Sequence, residues 1–233
     1  MAQLKNKYFG ELKGKLGDVV FRQRGKTNYI TQQPRKYNRS RDPEHQNRIN
    51  TFRLAIKLAS AVNSISDLKE IWDDKSYIGS STYNHLVSVL YPNLRSVDSY
   101  SLVRITPERS FSIKVKQIVI SETQLDLNIE PLRGNSGINP DLENKARIVG
   151  VIWLYDPISS NNPKDEFTKF VSDYVDLDIN NNIVFNLSFS SSTTELLKLY
   201  NQCRIYSSLI TFTSEFSLVS FSNTFYADLS IRR

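Results

Sequence analysis

The run Ala146-Arg-Ile-Val-Gly-Val-Ile-Trp-Leu-Tyr155 is the longest nearly continuous apolar stretch of the chain. It is rich in β-branched and aromatic residues, which favour strands over helices. Turn-forming residues lie on both sides: a Gly/Asn/Pro segment at 133–144 precedes it, and Pro157 to Pro163 follows it with a Ser-Ser-Asn-Asn core. A short apolar run bounded by turns is typical of a buried strand. The sequence therefore predicts that 146–155 is the central strand of a sheet.

Further strands are predicted on both sides of this run, because apolar and polar residues alternate with the period of two that a half-buried strand shows. The predicted strands are Phe111–Val115 continuing through Ile118 and Ile120, Leu125–Ile129, one or two within Phe167–Ile179, Ile183–Phe189, Cys203–Thr213 and Leu218–Ile231. Glu195 to Asn201 is predicted to form one helical turn. Seven or so short antiparallel strands separated by polar turns predict a β-sandwich over residues 98–233.

Residues 42–97 are predicted to be helical. Asp42 is a good N-cap, Pro43 suits the first helical position, and Glu44 suits the positive end of the helix dipole. Apolar residues then recur at helical spacing and predict a helix over 43–64. A second short helix is predicted over 66–74, and a third over 82–91, stopped by Pro92.

Residues 1–41 are predicted to form an extended basic arm. Strands are predicted at Asp18–Gln23 and Thr27–Gln33, joined by a turn at Arg24-Gly25-Lys26, which together make a β-hairpin. Alternation places Val19 and Phe21 on one face and Arg22 and Arg24 on the other. The predicted fold class is therefore α+β: an N-terminal β-hairpin arm and short helices, followed by an antiparallel β-sandwich.

The charge of the chain is strongly asymmetric. The chain has 233 residues and a net charge of +6. Residues 1–60 contain 14 Lys or Arg and 4 Asp or Glu, whereas the remaining 173 contain 16 and 20, so the two parts carry +10 and −4. Such asymmetry suggests an arm that contacts nucleic acid or docks on an acidic neighbour. With 12 Phe and 12 Tyr, the composition excludes disorder over the whole length.

No catalytic motif stands out, so a non-enzymatic protein without a cofactor or a metal is expected. Gly10, Gly14 and Gly17 are not followed by the Gly-Lys-Ser/Thr of a phosphate loop. His45 and His85 are isolated and are interpreted as surface or partly buried histidines. Two acidic pairs, Asp73-Asp74 and Asp176 with Asp178, are considered as cation ligands, but no dense Asp/Asn/Gly loop accompanies them. Cys203 is the only cysteine and is interpreted as a small buried apolar residue.

The N-terminus carries no sign of export. No apolar stretch follows the first lysines, so no secretory signal peptide is expected, and the chain is expected in the cytoplasm at synthesis. Release by lysis, within a particle, or by a dedicated machine stays open. No apolar run approaches the roughly 18 residues that a membrane-spanning helix requires, so no membrane span is expected.

The N-terminal stretch resembles an uncharacterised family of small bacterial proteins. The matching residues are Tyr8 to Val20, then Gly25 to Ile30, a Pro-Arg segment, Gln46 to Arg48, and Phe52. Members of that family open with a Gly-x-x-x-Gly-Lys-Ile/Leu-Gly-x-Val-Val hairpin and have a β-rich C-terminal part. The resemblance covers about the first 65 residues and implies no established activity and no catalytic residue. It implies that the hairpin is a single structural unit.

Two functions follow from the arm. The first is a structural subunit that associates with copies of itself, by arm exchange or strand addition, into a filament, tube or virion-like particle. Its assembly residues are Gly14, Lys15, Gly17, Val19, Val20, Phe21, Tyr29 and Ile30. The alternative is a cytoplasmic protein that binds the phosphates of nucleic acid. The residues for that function are Arg22, Arg24, Lys26, Arg35, Lys36, Arg39 and Arg41. An enzyme of unfamiliar type is a third, less favoured reading.

Overall fold

A computed structural model describes residues 2–4, 14–24, 27–32, 42–73, 81–108, 111–134 and 137–232. The chain folds as two units, Met1–Pro43 and Glu44–Arg233. The first contains the arm. The second contains the strands of 98–233 together with the helical segment 42–97, except for the first two residues of that segment. The helical segment and the strands, predicted as two separate domains, thus belong to one unit.

Within the described residues of the first unit, four antiparallel strands form one sheet in the order β1-β4-β3-β2. The strands are β1 (Ala2–Leu4), β2 (Gly14–Leu16), β3 (Val19–Arg24) and β4 (Thr27–Gln32). The predicted hairpin is β3 with β4, in which Phe21 pairs with Ile30 and Arg24 with Thr27. The hairpin thus has a further strand on each side. Both flanking strands are only three residues long, too short for an alternating pattern to reveal them.

The helices of the second unit follow the pattern of caps and apolar residues. They are α1 (Pro43–Asn63), α2 (Ser66–Asp73) and α3 (Thr82–Asn93), followed by a 3₁₀ helix at Val97–Leu102. The prediction that Pro92 stops the third helix is wrong, because α3 continues to Asn93. Proline in a last turn costs one backbone hydrogen bond. The end is closed by the Leu94 N–H, which donates to the Tyr91 carbonyl at 3.2 Å.

The apolar run lies at the centre of the larger sheet, as predicted. It forms β7 (Lys145–Pro157), which pairs antiparallel with β11 (Tyr200–Phe212) on one side and β8 (Asp165–Val171) on the other. In the part of the chain that the structure describes, this sheet has six strands. The remaining three are β9 (Val175–Asp176), β12 (Leu218–Phe221) and β13 (Phe225–Ser230).

A second sheet packs on one face of the first. It consists of β10 (Ile183–Ser188), β6 (Gln124–Ile129) and β5 (Val115–Ile120), in that order among the described strands. Ile148, Ile152 and Leu154 of β7 share a buried cluster with the apolar side chains of this sheet. The two face-to-face sheets confirm the predicted sandwich. The predicted strand at Phe111 begins later, at Val115, and Phe111 forms only an isolated bridge to Ser222.

The helices cover the other face of the larger sheet. Val149, Val151 and Trp153, which alternate with the residues above, share a second buried cluster with α1, α2 and α3. A strand buried on both faces explains why its sequence is apolar almost throughout. The fold is therefore α+β, as predicted. The predicted turn at 195–201 occurs earlier as α4 (Ser191–Leu197), because the Ser190 hydroxyl caps it by accepting from the Thr193 N–H.

Helix length and hydropathy also bear on membranes. None of the helices in the described ranges is both long enough and apolar enough to cross a bilayer.

Candidate functional site

The predicted assembly residues lie on three neighbouring strands of the N-terminal sheet. Gly14 and Lys15 are on β2, Val19 to Phe21 are on β3, and Tyr29 and Ile30 are on β4. Gly17 and Asp18 form the two-residue turn between β2 and β3, since Leu16 pairs with Val19. Gly17 has a φ of 58°, a conformation that glycine adopts without strain and that suits a tight hairpin.

The strand register divides these residues between two faces, because directly paired residues of antiparallel strands point to the same side. Leu16 pairs with Val19, and Phe21 pairs with Ile30. Alternation along β3 puts Val19 and Phe21 on one side, so all four lie on one apolar face. Leu16 is 72% exposed. We call these four residues the apolar face of the arm.

The opposite face is basic. Lys15 pairs with Val20, and Arg22 pairs with Tyr29. Tyr29, one of the predicted assembly residues, therefore lies on the same face as Arg22 and not on the apolar face. Lys15 and Arg22 are exposed. An exposed pair of cations beside an aromatic ring suits contact with phosphates and bases.

Six further residues were predicted to bind phosphates, and of these only the backbone of Arg24 is among the described residues. Arg24 is the last residue of β3. Lys26, Arg35, Lys36, Arg39 and Arg41 lie outside the described residues.

The second unit contains a cleft that the sequence did not predict. It has a volume of about 830 Å³ and lies between the second to fourth turns of α1, the segment after α3 and the end of β7. Five basic and two acidic side chains line it, namely Arg53, Lys57, Arg95, Lys164, Arg204, Asp156 and Asp165. The volume is in the range of small-molecule sites.

Arg204 lines this cleft and packs against aromatic rings. Its guanidinium lies 3.7 Å from the ring centroid of Tyr155 and 4.8 Å from that of Trp153. Its Nε contacts the Asp228 carboxylate at 3.2 Å, and its side chain is only 11% exposed. Tyr155 donates its hydroxyl to the same carboxylate. Burial, reinforced by this bond, raises the pKa of Tyr155 well above its usual range.

Three cations at the cleft are available to a ligand. Among the described residues, Arg53, Arg95 and Lys164 have no ion-pair partner, and all three are exposed. Lys57, in contrast, contacts Glu166 at 3.2 Å. The cleft therefore combines three exposed cations with the aromatic lining residues Tyr100, Trp153 and Tyr155. Sequence spacing gives no hint of it, because Trp153 and Arg204 meet only through the β7–β11 register.

The other polar candidates do not combine into a site. Within the described ranges no group of three or more His, Cys, Asp or Glu residues could hold a metal ion. The side chain of Asn181 and the N–H of Asn180 donate to Asp178 and lower the pKa of its carboxyl. His85 lies 5.5 Å from Trp72, ring to ring. Cys203 is fully buried, and burial raises the pKa of its thiol to about 12, so it is protonated and unreactive at neutral pH.

Comparisons with known proteins do not assign a family. No family model matches the chain, and no curated protein matches it. A β-glucosidase from Kluyveromyces marxianus is structurally similar over 53% of this chain, with 12% identity and a TM-score of 0.23, and the match spans only 15% of that enzyme. A late embryogenesis abundant (LEA) protein is similar over 71% of this chain and 90% of its own, with 8% identity and a TM-score of 0.26.

Proposed function

We propose that this protein is a non-enzymatic structural subunit that self-assembles through its N-terminal arm into a filament, tube or virion-like particle. One observation carries the proposal. Among the arm residues whose side chains are described, 14–22 and 29–32, none is buried, although one face of the sheet is apolar. A small sheet needs a second layer over its apolar face to be stable in water.

The energy available from such a layer is substantial. Fully burying one large aliphatic or aromatic side chain is worth about 1.5–3 kcal/mol. On the apolar face of the arm, Leu16 is 72% exposed and offers most of this energy, whereas Val19, Phe21 and Ile30 are half-buried and each offer a part of it. Among the described strands of the arm, β1 and β2 are the edges of the sheet. The outer backbone groups of an edge strand can pair with a strand from another chain.

The charge of the arm is complementary to that of the rest of the chain, so a second copy of the chain is a suitable partner for the arm. Residues 1–41 contain 11 Lys or Arg against 2 Asp or Glu, and the remainder contains 19 against 22, so the arm of one copy, at +9, is attracted to the body of another, at −3. If the arm docks on a different surface of the next copy, the contact is heterologous and produces a ring or an open filament.

We expect Phe21→Asp to convert assembled protein to monomer, because it puts a carboxylate in the middle of the apolar face. Thr31→Asp is the matched control: it adds the same charge on the neighbouring strand, but on the basic face, where Thr31 pairs with Val20. The assay is sedimentation velocity with negative-stain imaging of wild type and both variants. Wild-type protein that stays monomeric at high concentration contradicts the proposal.

Nucleic-acid binding is a second candidate, favoured by the position of Lys15, Arg22 and Tyr29 on one face of the sheet. A double variant, Lys15→Gln with Arg22→Gln, should bind a labelled single-stranded DNA more weakly, whereas Phe21→Asp should retain most of the affinity. Binding is measured by fluorescence anisotropy at about 50 mM salt, where phosphate-driven affinity is strong. Wild-type protein that does not bind under these conditions excludes this function.

A further inference from the structure

A pair of exposed aromatic residues forms a surface patch on the second unit. Tyr174 follows β8, and Phe216 lies in the turn between β11 and β12; their ring centroids are 4.7 Å apart. Phe216 is 52% exposed and Tyr174 is 37% exposed. We call these two residues the Phe216 patch. Exposed aromatic pairs of this kind are common at protein interfaces.

The patch is rigidly supported from below. The Tyr174 ring packs on the Arg147 guanidinium, 4.6 Å from it, and edge-on against Phe212, with centroids 5.0 Å apart. Arg147 is held in turn by the buried carboxylate of Asp67, to which its Nε donates at 2.6 Å. An aromatic ring fixed in this way can dock without a further loss of side-chain freedom.

Phe216 also has a backbone conformation that is unfavourable for a bulky residue. Its φ is 62°, in the left-handed region that glycine and asparagine adopt readily and bulky residues avoid. The turn is otherwise well formed, since the Phe216 N–H donates to the Thr213 carbonyl at 3.0 Å. Neither the turn nor the core requires a phenylalanine here. Strained exposed residues are concentrated at functional surfaces.

Acidic residues border the patch and restrict its partner. Asp173 immediately precedes Tyr174, and Glu215 immediately precedes Phe216; both are exposed, and neither pairs with a cation among the described residues. Two copies of the patch facing each other would bring like charges together. The surface therefore suits a partner that is both apolar and basic.

We propose that the Phe216 patch is the docking surface for the N-terminal arm of a second copy of the chain. The arm supplies the apolar contact through one face of its sheet, and it supplies the attraction through its net charge, since residues 1–41 contain 11 Lys or Arg against 2 Asp or Glu. Lys15 and Arg22 lie on the opposite face of the sheet, so the charge favours the approach of the arm and does not depend on direct ion pairs at the patch. The inference rests on the proposed self-assembly and specifies the surface that receives the arm. Because arm and patch are different surfaces, the contact repeats head to tail from copy to copy.

The test is Phe216→Gly, which removes the ring and relieves the φ of 62°. We expect the thermal stability of the monomer to be unchanged or higher, while the concentration needed for half-assembly rises about tenfold or more, as for an interface hot spot. Ile158→Ala is the control, because Ile158 is exposed to a similar extent, 50%, away from the patch. This combination separates loss of docking from loss of folding.

Mixing two variants tests the direction of the contact. Phe21→Asp protein lacks a working arm and Phe216→Gly protein lacks a working patch, so the mixture should form a 1:1 heterodimer and no longer species in sedimentation velocity. If Phe216→Gly assembles like wild type while Phe21→Asp does not, the inference is wrong and the arm function survives. If wild type itself is monomeric, the proposed function fails, and this inference fails with it.

Discussion

Replacing Gly150 with alanine is expected to destabilise the second unit by about 3 kcal/mol, the upper end of the usual cost of overpacking a core. Gly150 lies in the middle of β7. A Cβ at this position would be 2.4 Å from the Tyr206 carbonyl oxygen and 2.5 Å from Cζ of Phe170. The carbonyl belongs to β11, so it cannot retreat without disturbing the β7–β11 pairing. The Phe170 ring is itself buried, so it has little room to move away from the added methyl group.

The free energy of unfolding of Gly150→Ala is best measured by urea denaturation, followed through the fluorescence of Trp72 and Trp153, both buried in the second unit. Ser207→Ala is the control, because Ser207 pairs directly with Gly150 across the strands. Its buried hydroxyl has no hydrogen-bond partner, so its removal should leave stability unchanged or slightly raised. Equal stability of Gly150→Ala and wild type would mean that β7 and β11 are not packed as described.

The sequence predicted the parts of the fold that depend on local pattern. The apolar run 146–155 identified the central strand because a strand covered on both faces has no polar face to show. The alternation of Leu125, Leu127 and Ile129 located β6, and Asp42 with Pro43 located the start of α1. In each case a few neighbouring residues determine the local structure, so a single sequence contains enough information.

Features that depend on contacts distant in sequence were not predictable. The Arg204 cleft and the Phe216 patch join side chains from strands and loops that only the sheet register brings together. The face on which Tyr29 lies depends on the register of the β3–β4 hairpin, which pairs Tyr29 with Arg22 and so puts it on the basic face. The assembly residues themselves were identified by composition and charge, and their function stays a prediction.

Asp67→Asn is expected to cost the second unit about 3 kcal/mol, because it leaves a largely buried arginine without its counter-charge. The side chains of Asp67 and Arg147 are 9% and 14% exposed, and both Nε and a terminal nitrogen of Arg147 contact the same Asp67 oxygen. Asparagine keeps the shape of the aspartate but removes its charge. Asp67 also lies in the first turn of α2, where a carboxylate favours the helix dipole.

Asp176→Asn provides a matched control for the Asp67→Asn measurement. Asp176 pairs with Lys145, at the start of the same strand that carries Arg147, but its side chain is 87% exposed. Exposed ion pairs contribute about 0–1 kcal/mol, so this variant should unfold almost like wild type in urea. Equal losses in the two variants would contradict the buried status of the Asp67–Arg147 pair.

Because Arg147 supports the Tyr174 ring, Asp67→Asn should also weaken assembly in conditions where the variant is fully folded, whereas Asp176→Asn should not.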